Sequence, residues 1–147
     1  MLFRSGGEDS GGKVSGIDKV AFSADTKTTL SATLTTARDN AAGFANSGVA
    51  GYVAGGSTPT LTSGIDKIAF SADTKTTLSA TLTSARETPA GFANSGVAGY
   101  VAGGEDSGGK VSGIDKVSFP ADSKTTLSAT LTTARAIAAG FADSGTL

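Results

Sequence analysis

Apolar residues along this chain fall into short clusters separated by small and polar residues. Ala41–Gly48 places Phe44 among small residues and closes on Asn46-Ser47-Gly48, a turn signal. Val49–Ala54 is a second apolar stretch, closed by Gly55-Gly56. Ile65–Phe70 is a third, apolar at 65, 68 and 70, and Ser71–Lys75 then reads as a turn. Thr76–Leu82 is a fourth, rich in β-branched threonine. Gly and Thr interrupt every window, and no sustained 3.6-residue period survives, which argues against helix. The pattern predicts four short antiparallel strands joined by polar turns.

The pattern recurs with a period of about 49 residues, beginning at Gly16, Gly64 and Gly113. Repeats of this length point to solenoids, propellers or arrays. Residues 16–56 and 64–104 differ only at Val20/Ile68, Thr36/Ser84, Asp39/Glu87, Asn40/Thr88 and Ala41/Pro89. Such uniformity fits a recent duplication and a reconstructed or designed symmetric scaffold equally well. Specialisation for a ligand would normally make the copies diverge.

The recurring order of motifs resembles the kelch repeat. Gly51-Tyr52-Val53-Ala54-Gly55-Gly56 and Gly99-Tyr100-Val101-Ala102-Gly103-Gly104 match its apolar run before a glycine doublet, and Leu2-Phe3-Arg4-Ser5-Gly6-Gly7 is the counterpart near the start. Phe22, Phe70 and Phe119 match the aromatic of the third strand, and Arg38, Arg86 and Arg135 match the arginine before the next unit. Where the family has tryptophan on the fourth strand, this chain has Leu30, Leu78 and Leu127. The resemblance implies an all-β propeller of four-stranded antiparallel blades, three blades per chain, in one repeat domain spanning 1–147. It implies no single function, because kelch-like proteins include protein-binding adaptors, lectin-like modules and a copper oxidase. An oxidase of that kind needs histidine ligands and a cysteine; the sequence has neither.

One blade reads as split, with 136–147 supplying its innermost strand and 1–34 the other three. Three blades are too few for a ring, since propellers typically hold about four to eight. The expected solution is a homodimer, each chain giving its segment around Ala139-Gly140-Phe141-Ala142 to Leu2-Phe3-Arg4-Ser5 of the other, in a six-bladed ring. A nine-bladed trimer is the larger alternative.

Composition narrows the chemistry. Twelve basic and thirteen acidic residues give a net charge of −1, with no basic footprint for nucleic acid. No apolar run approaches the roughly 20 residues of a membrane span. The absence of His and Cys removes the commonest general base and the thiolate metal ligands. Gly7-Glu8-Asp9-Ser10-Gly11-Gly12-Lys13 and its copy at 104–110 approach a phosphate loop. Val14 and Val111 stand where that loop needs Ser or Thr, and the carboxylates would repel phosphate, so a surface turn is expected. Glu8-Asp9 and Glu105-Asp106 lack the alternating spacing of a calcium loop. Asp18-Lys19, Asp66-Lys67 and Asp115-Lys116 are expected to make polar contacts between blades. The kelch resemblance implies that Arg38, Arg86 and Arg135 tie neighbouring blades, and Tyr52 and Tyr100 are expected to pack between blades. Asp25, Asp73 and Asp122 sit in turns, where aspartate is common. Phe22, Phe70 and Phe119, with Leu30, Leu78, Leu127, Leu34, Leu82 and Leu131, are expected to be buried between blades.

These observations assign no catalytic, cofactor-binding or metal-ligating residue. The expectation is a non-catalytic, symmetric, self-assembling scaffold. The rival is a carbohydrate- or protein-binding kelch-like module from a larger surface or fibre protein; the absence of Trp counts against its carbohydrate-binding form.

Overall fold

The computed structural model describes residues 2–141, with only the main chain described for Leu2. Fifteen strands are present among the described residues, and no helix. In chain order they are β1 (Leu2–Ser5), β2 (Glu8–Asp9), β3 (Gly12–Lys13), β4 (Ile17–Ala21), β5 (Thr26–Thr29), β6 (Ala42–Asn46), β7 (Ala50–Ala54), β8 (Ile65–Ala69), β9 (Thr74–Thr77), β10 (Ala90–Asn94), β11 (Ala98–Ala102), β12 (Glu105–Asp106), β13 (Gly109–Lys110), β14 (Ile114–Ser118) and β15 (Ser123–Thr126).

They form three main antiparallel sheets. The first has three strands, β1-β4-β5; the second is β6-β7-β8-β9 and the third β10-β11-β14-β15. The short hairpins β2-β3 and β12-β13 are the two Gly-Glu-Asp-Ser-Gly-Gly-Lys segments. In each, an aspartate side chain, Asp9 or Asp106, accepts the backbone N–H two residues on at 2.8 Å, closing the turn.

Register fixes which residues correspond between sheets. Phe44 stands opposite Tyr52 and Tyr52 opposite Lys67. Phe92, Tyr100 and Lys116 repeat this in the third sheet. In the first sheet Phe3 stands opposite Lys19, so Phe3 holds the tyrosine position. The glycine doublet that ends each second strand is sterically required. Gly55 has φ +67°, and a Cβ there would lie 2.6 Å from the Arg86 carbonyl oxygen.

Two expectations about the strands need correction. The fourth strand is Thr74–Thr77, so Thr74 and Lys75 belong to strand and Leu78–Leu82 does not. Its side chains alternate weakly in burial, and the leucines that follow turn inward instead: Leu78 and Leu82 are buried. Phe70 and Phe119 lie just past the third strands, in the turns.

The second and third sheets pack against each other through their first strands, β6 against β10. The segments leading into those strands are also linked, Thr88 N–H donating to Asn40 O at 2.7 Å. The described part of the C-terminal segment follows the same path. Ile137 N–H donates to Thr88 O at 3.0 Å, and Gly140 lies against Gly91 as Gly91 lies against Gly43. Residues 136–141 pair with no strand, and the remainder of the expected C-terminal strand lies outside the described residues.

Candidate functional site

The chemistry-bearing side chains gather where one sheet meets the next. Three layers recur at each junction.

The deepest layer is an ionic clamp. Asp66, at the start of β8, is fully buried, and its carboxylate accepts Thr35 N–H at 3.0 Å, Thr35 Oγ1 at 2.7 Å and Thr77 Oγ1 at 2.9 Å. Arg38 Nη2 completes the set, and Arg38 Nη1 donates to Gly55 O and Gly64 O, both at 3.2 Å. One junction on, Asp115 accepts Thr83 N–H at 2.9 Å, Thr83 Oγ1 at 2.6 Å, Thr126 Oγ1 at 3.0 Å and Arg86 Nη2 at 3.0 Å. Four donors occupy the roughly four lone-pair directions of a carboxylate. The groups are therefore tied up in holding the sheets together. Burial pushes the Asp66 and Asp115 carboxyls up, but the threonine hydrogen bonds and the arginine outweigh it, and both stay below the usual aspartate range. Burial likewise lowers Arg86, against the pull of Asp115.

The second layer joins strands to turns. Lys19 Nζ reaches both Asp73 oxygens at 2.9 and 2.8 Å. Lys67 Nζ reaches Asp122 Oδ2 at 2.6 Å, and Tyr52 donates its hydroxyl to Asp122 Oδ1 at 2.9 Å. Burial, reinforced by this bond to a carboxylate, pushes the Tyr52 phenol up. Asp73 and Asp122 adopt left-handed backbone, φ 52° and 48°, which aspartate tolerates better than most residues. The expected turn role holds, and the cross-sheet ion pair is an addition that turn propensity does not signal.

The third layer is aromatic. Phe44 stacks on Tyr52 with centroids 5.1 Å apart, and Tyr52 on Phe119 at 5.3 Å. Phe3 stacks on Phe70 at 4.5 Å.

The two outer faces carry unmatched halves of the same layers. On the third sheet Arg135 is exposed; among the described residues its side chain bonds only to Thr133. Thr132 is exposed too, and Leu127, Leu131 and Tyr100 are half-covered. On the first sheet Asp18 is bonded by Thr29, Lys27 and Arg4 of its own sheet, with no arginine from a preceding one among the described residues. Asp25 is exposed there, and Phe22 is 64% exposed. The expected burial of Phe22, Leu127 and Leu131 is therefore corrected. Their locally identical counterparts are covered by an adjacent sheet, which these three lack. Phe119 is buried and Phe70 is half-buried, while Leu30, Leu34, Leu78 and Leu82 are buried.

Among the described residues no group of three or more acidic side chains is placed to hold a metal ion. The comparisons with protein-family models and with curated proteins find no match to this chain.

Proposed function

We propose that this chain is a non-catalytic, symmetric scaffold of kelch-like propeller blades, whose physiological state is a ring closed by two copies. Each copy gives its segment 136–147 to the three-stranded sheet of the other, making six blades. The observation that carries the reading is the complementarity of the two outer faces. Arg135 and Thr132 occupy on one face the positions of Arg86 and Thr83, and Asp18 occupies on the other the position of Asp115. Lys116 and Tyr100 face out in the same way toward the aspartate turn that Asp25 would supply. A second copy would match these halves with arginine, threonine and lysine geometries the chain already uses twice and a tyrosine geometry it uses once. The assignment of a scaffold role is supported by the acids themselves, since the buried ones are saturated by structural donors.

The test is the mass in solution by sedimentation or light scattering. The chain is expected at twice its formula mass. Arg135→Glu, which sets a carboxylate against Asp18, is expected to give a folded monomer. A wild-type monomer at all concentrations overturns the reading, as does an Arg135→Glu chain that dimerises unchanged.

A further inference from the structure

The junction between the first and second sheets holds an open cleft of about 700 Å³. Its walls include Phe3, Phe70, Gly51 and Tyr52. At the junction between the second and third sheets the corresponding positions are Tyr52, Phe119 and Gly99, and there the space is filled by the Phe44 ring. That ring lies so close over Gly99 that a methyl group at this position would fall inside it. At Gly51, the equivalent residue, the nearest atoms are ring carbons of Phe70 at 3.2 and 3.4 Å, a looser approach than that of the Phe44 ring to Gly99. The cleft therefore has the outline of one missing strand carrying one phenylalanine.

The repeat identifies that strand. Ala42-Gly43-Phe44-Ala45 recurs as Ala139-Gly140-Phe141-Ala142. Phe141 is 89% exposed. The first strands also pack glycine to glycine, Gly140 on Gly91 and Gly91 on Gly43, yet a Cβ at Gly43 would meet nothing. The side of β6 that borders the cleft is thus open at the one place where another Gly140 would sit.

Resting on the assembly reading above, we infer that the cleft between Phe3, Gly51 and Phe70 is the seat of Phe141 from a second copy of this chain. The ring would stack on Phe3 as Phe44 stacks on Tyr52, and its strand would add to the free edge of β1. This is recognition by strand addition, in which backbone pairing supplies affinity and a side-chain pocket supplies register.

The chain contains no tryptophan, so Phe141→Trp in the full chain places a single fluorescent reporter at the seat. As concentration is raised through association, the emission should shift to the blue and acrylamide quenching should fall several-fold. Phe141→Asp should weaken association by about tenfold or more while the dilute chain stays folded, because the position is exposed there. An assembled particle whose indole is as quenchable as in the dilute chain overturns the seat and leaves the assembly reading standing. A chain that stays monomeric with an exposed indole overturns both. A monomer with a shielded indole overturns the seat in a second copy, since the ring is then covered by its own chain.

Discussion

The junction between the second and third sheets and the outer face of the first sheet present the same residues in different states. Phe119 is 5% exposed and Phe22 64% exposed, though each follows the Ile-Asp-Lys strand of its sheet, β14 or β4, in nearly identical local sequence. Phe70 falls between them, backed by Phe3 but not by a Phe44 equivalent. Asp115 is buried with four donors; Asp18 keeps only contacts from its own sheet. In this molecule burial is set by whether a neighbouring sheet is present and complete. Local sequence sets only which residue is available to be buried.

The largest effect should come from unpairing a clamp. Arg86→Ala leaves the Asp115 carboxylate buried without its cation and should cost about 3–5 kcal/mol in denaturant unfolding. Arg135→Ala, the same change on the outer face, should leave the stability of the dilute chain unaltered. Equal losses at the two arginines would erase the distinction between junction and face.

The aromatics grade the same comparison. Phe119→Ala should cost about 3–5 kcal/mol, Phe70→Ala clearly less, and Phe22→Ala under about 1 kcal/mol in the dilute chain. Thermal melts of the three variants, ranked in any other order, would mean that the neighbouring sheet does not govern their burial.

The most gradual effect should be on acid stability. The folded carboxyls of Asp66 and Asp115 lie below their unfolded values. Their contribution is therefore complete above the unfolded value and lost as the pH falls below about 4 through the folded one. Melting temperature against pH should drop in that range. The drop should be shallower in Asp115→Asn, which removes one of the two titrating groups.

Much of the fold is legible in the sequence because the turns are signalled locally. Asn-Ser-Gly and Gly-Gly mark the ends of β6 and β7, and Ile65 and Ile68, three residues apart and so on opposite faces, mark β8 as a strand buried on both sides. The fourth strand is harder to place because Thr74–Thr77 carries no apolar residue, so threonine content points to the wrong end of the segment. The tie between Arg38, Arg86 and their neighbours follows from the sequence. The Asp66 and Asp115 contacts between sheets are likewise expected, but their full burial is not, since neither the aspartate nor the lysine beside it signals depth. The signal lies at a distance, in the threonines Thr35 and Thr83 that recur before each arginine. Phe22 misleads for a different reason: the sequence around it differs from that around Phe70 only at Val20/Ile68, and from that around Phe119 only at Ala21/Ser118, Ser23/Pro120 and Thr26/Ser123, none of which signals exposure.

The clamps also have a direction. At each junction the arginine belongs to the earlier sheet and its aspartate to the later one, and the same holds for Lys19 with Asp73 and Lys67 with Asp122. One outer face consequently carries the arginine and lysine positions, Arg135 and Lys116, and the other the aspartate positions, Asp18 and Asp25, with Asp18 already held by Arg4 and Lys27 of its own sheet. In the proposed assembly, copies would therefore follow one another in a single sense, the arginine side of one against the aspartate side of the next. Head-to-tail contacts of that kind have no intrinsic stopping point except the return of the last face to the first. The number of sheets carried per chain, together with the angle between them, is then what decides between a closed ring and an endless one.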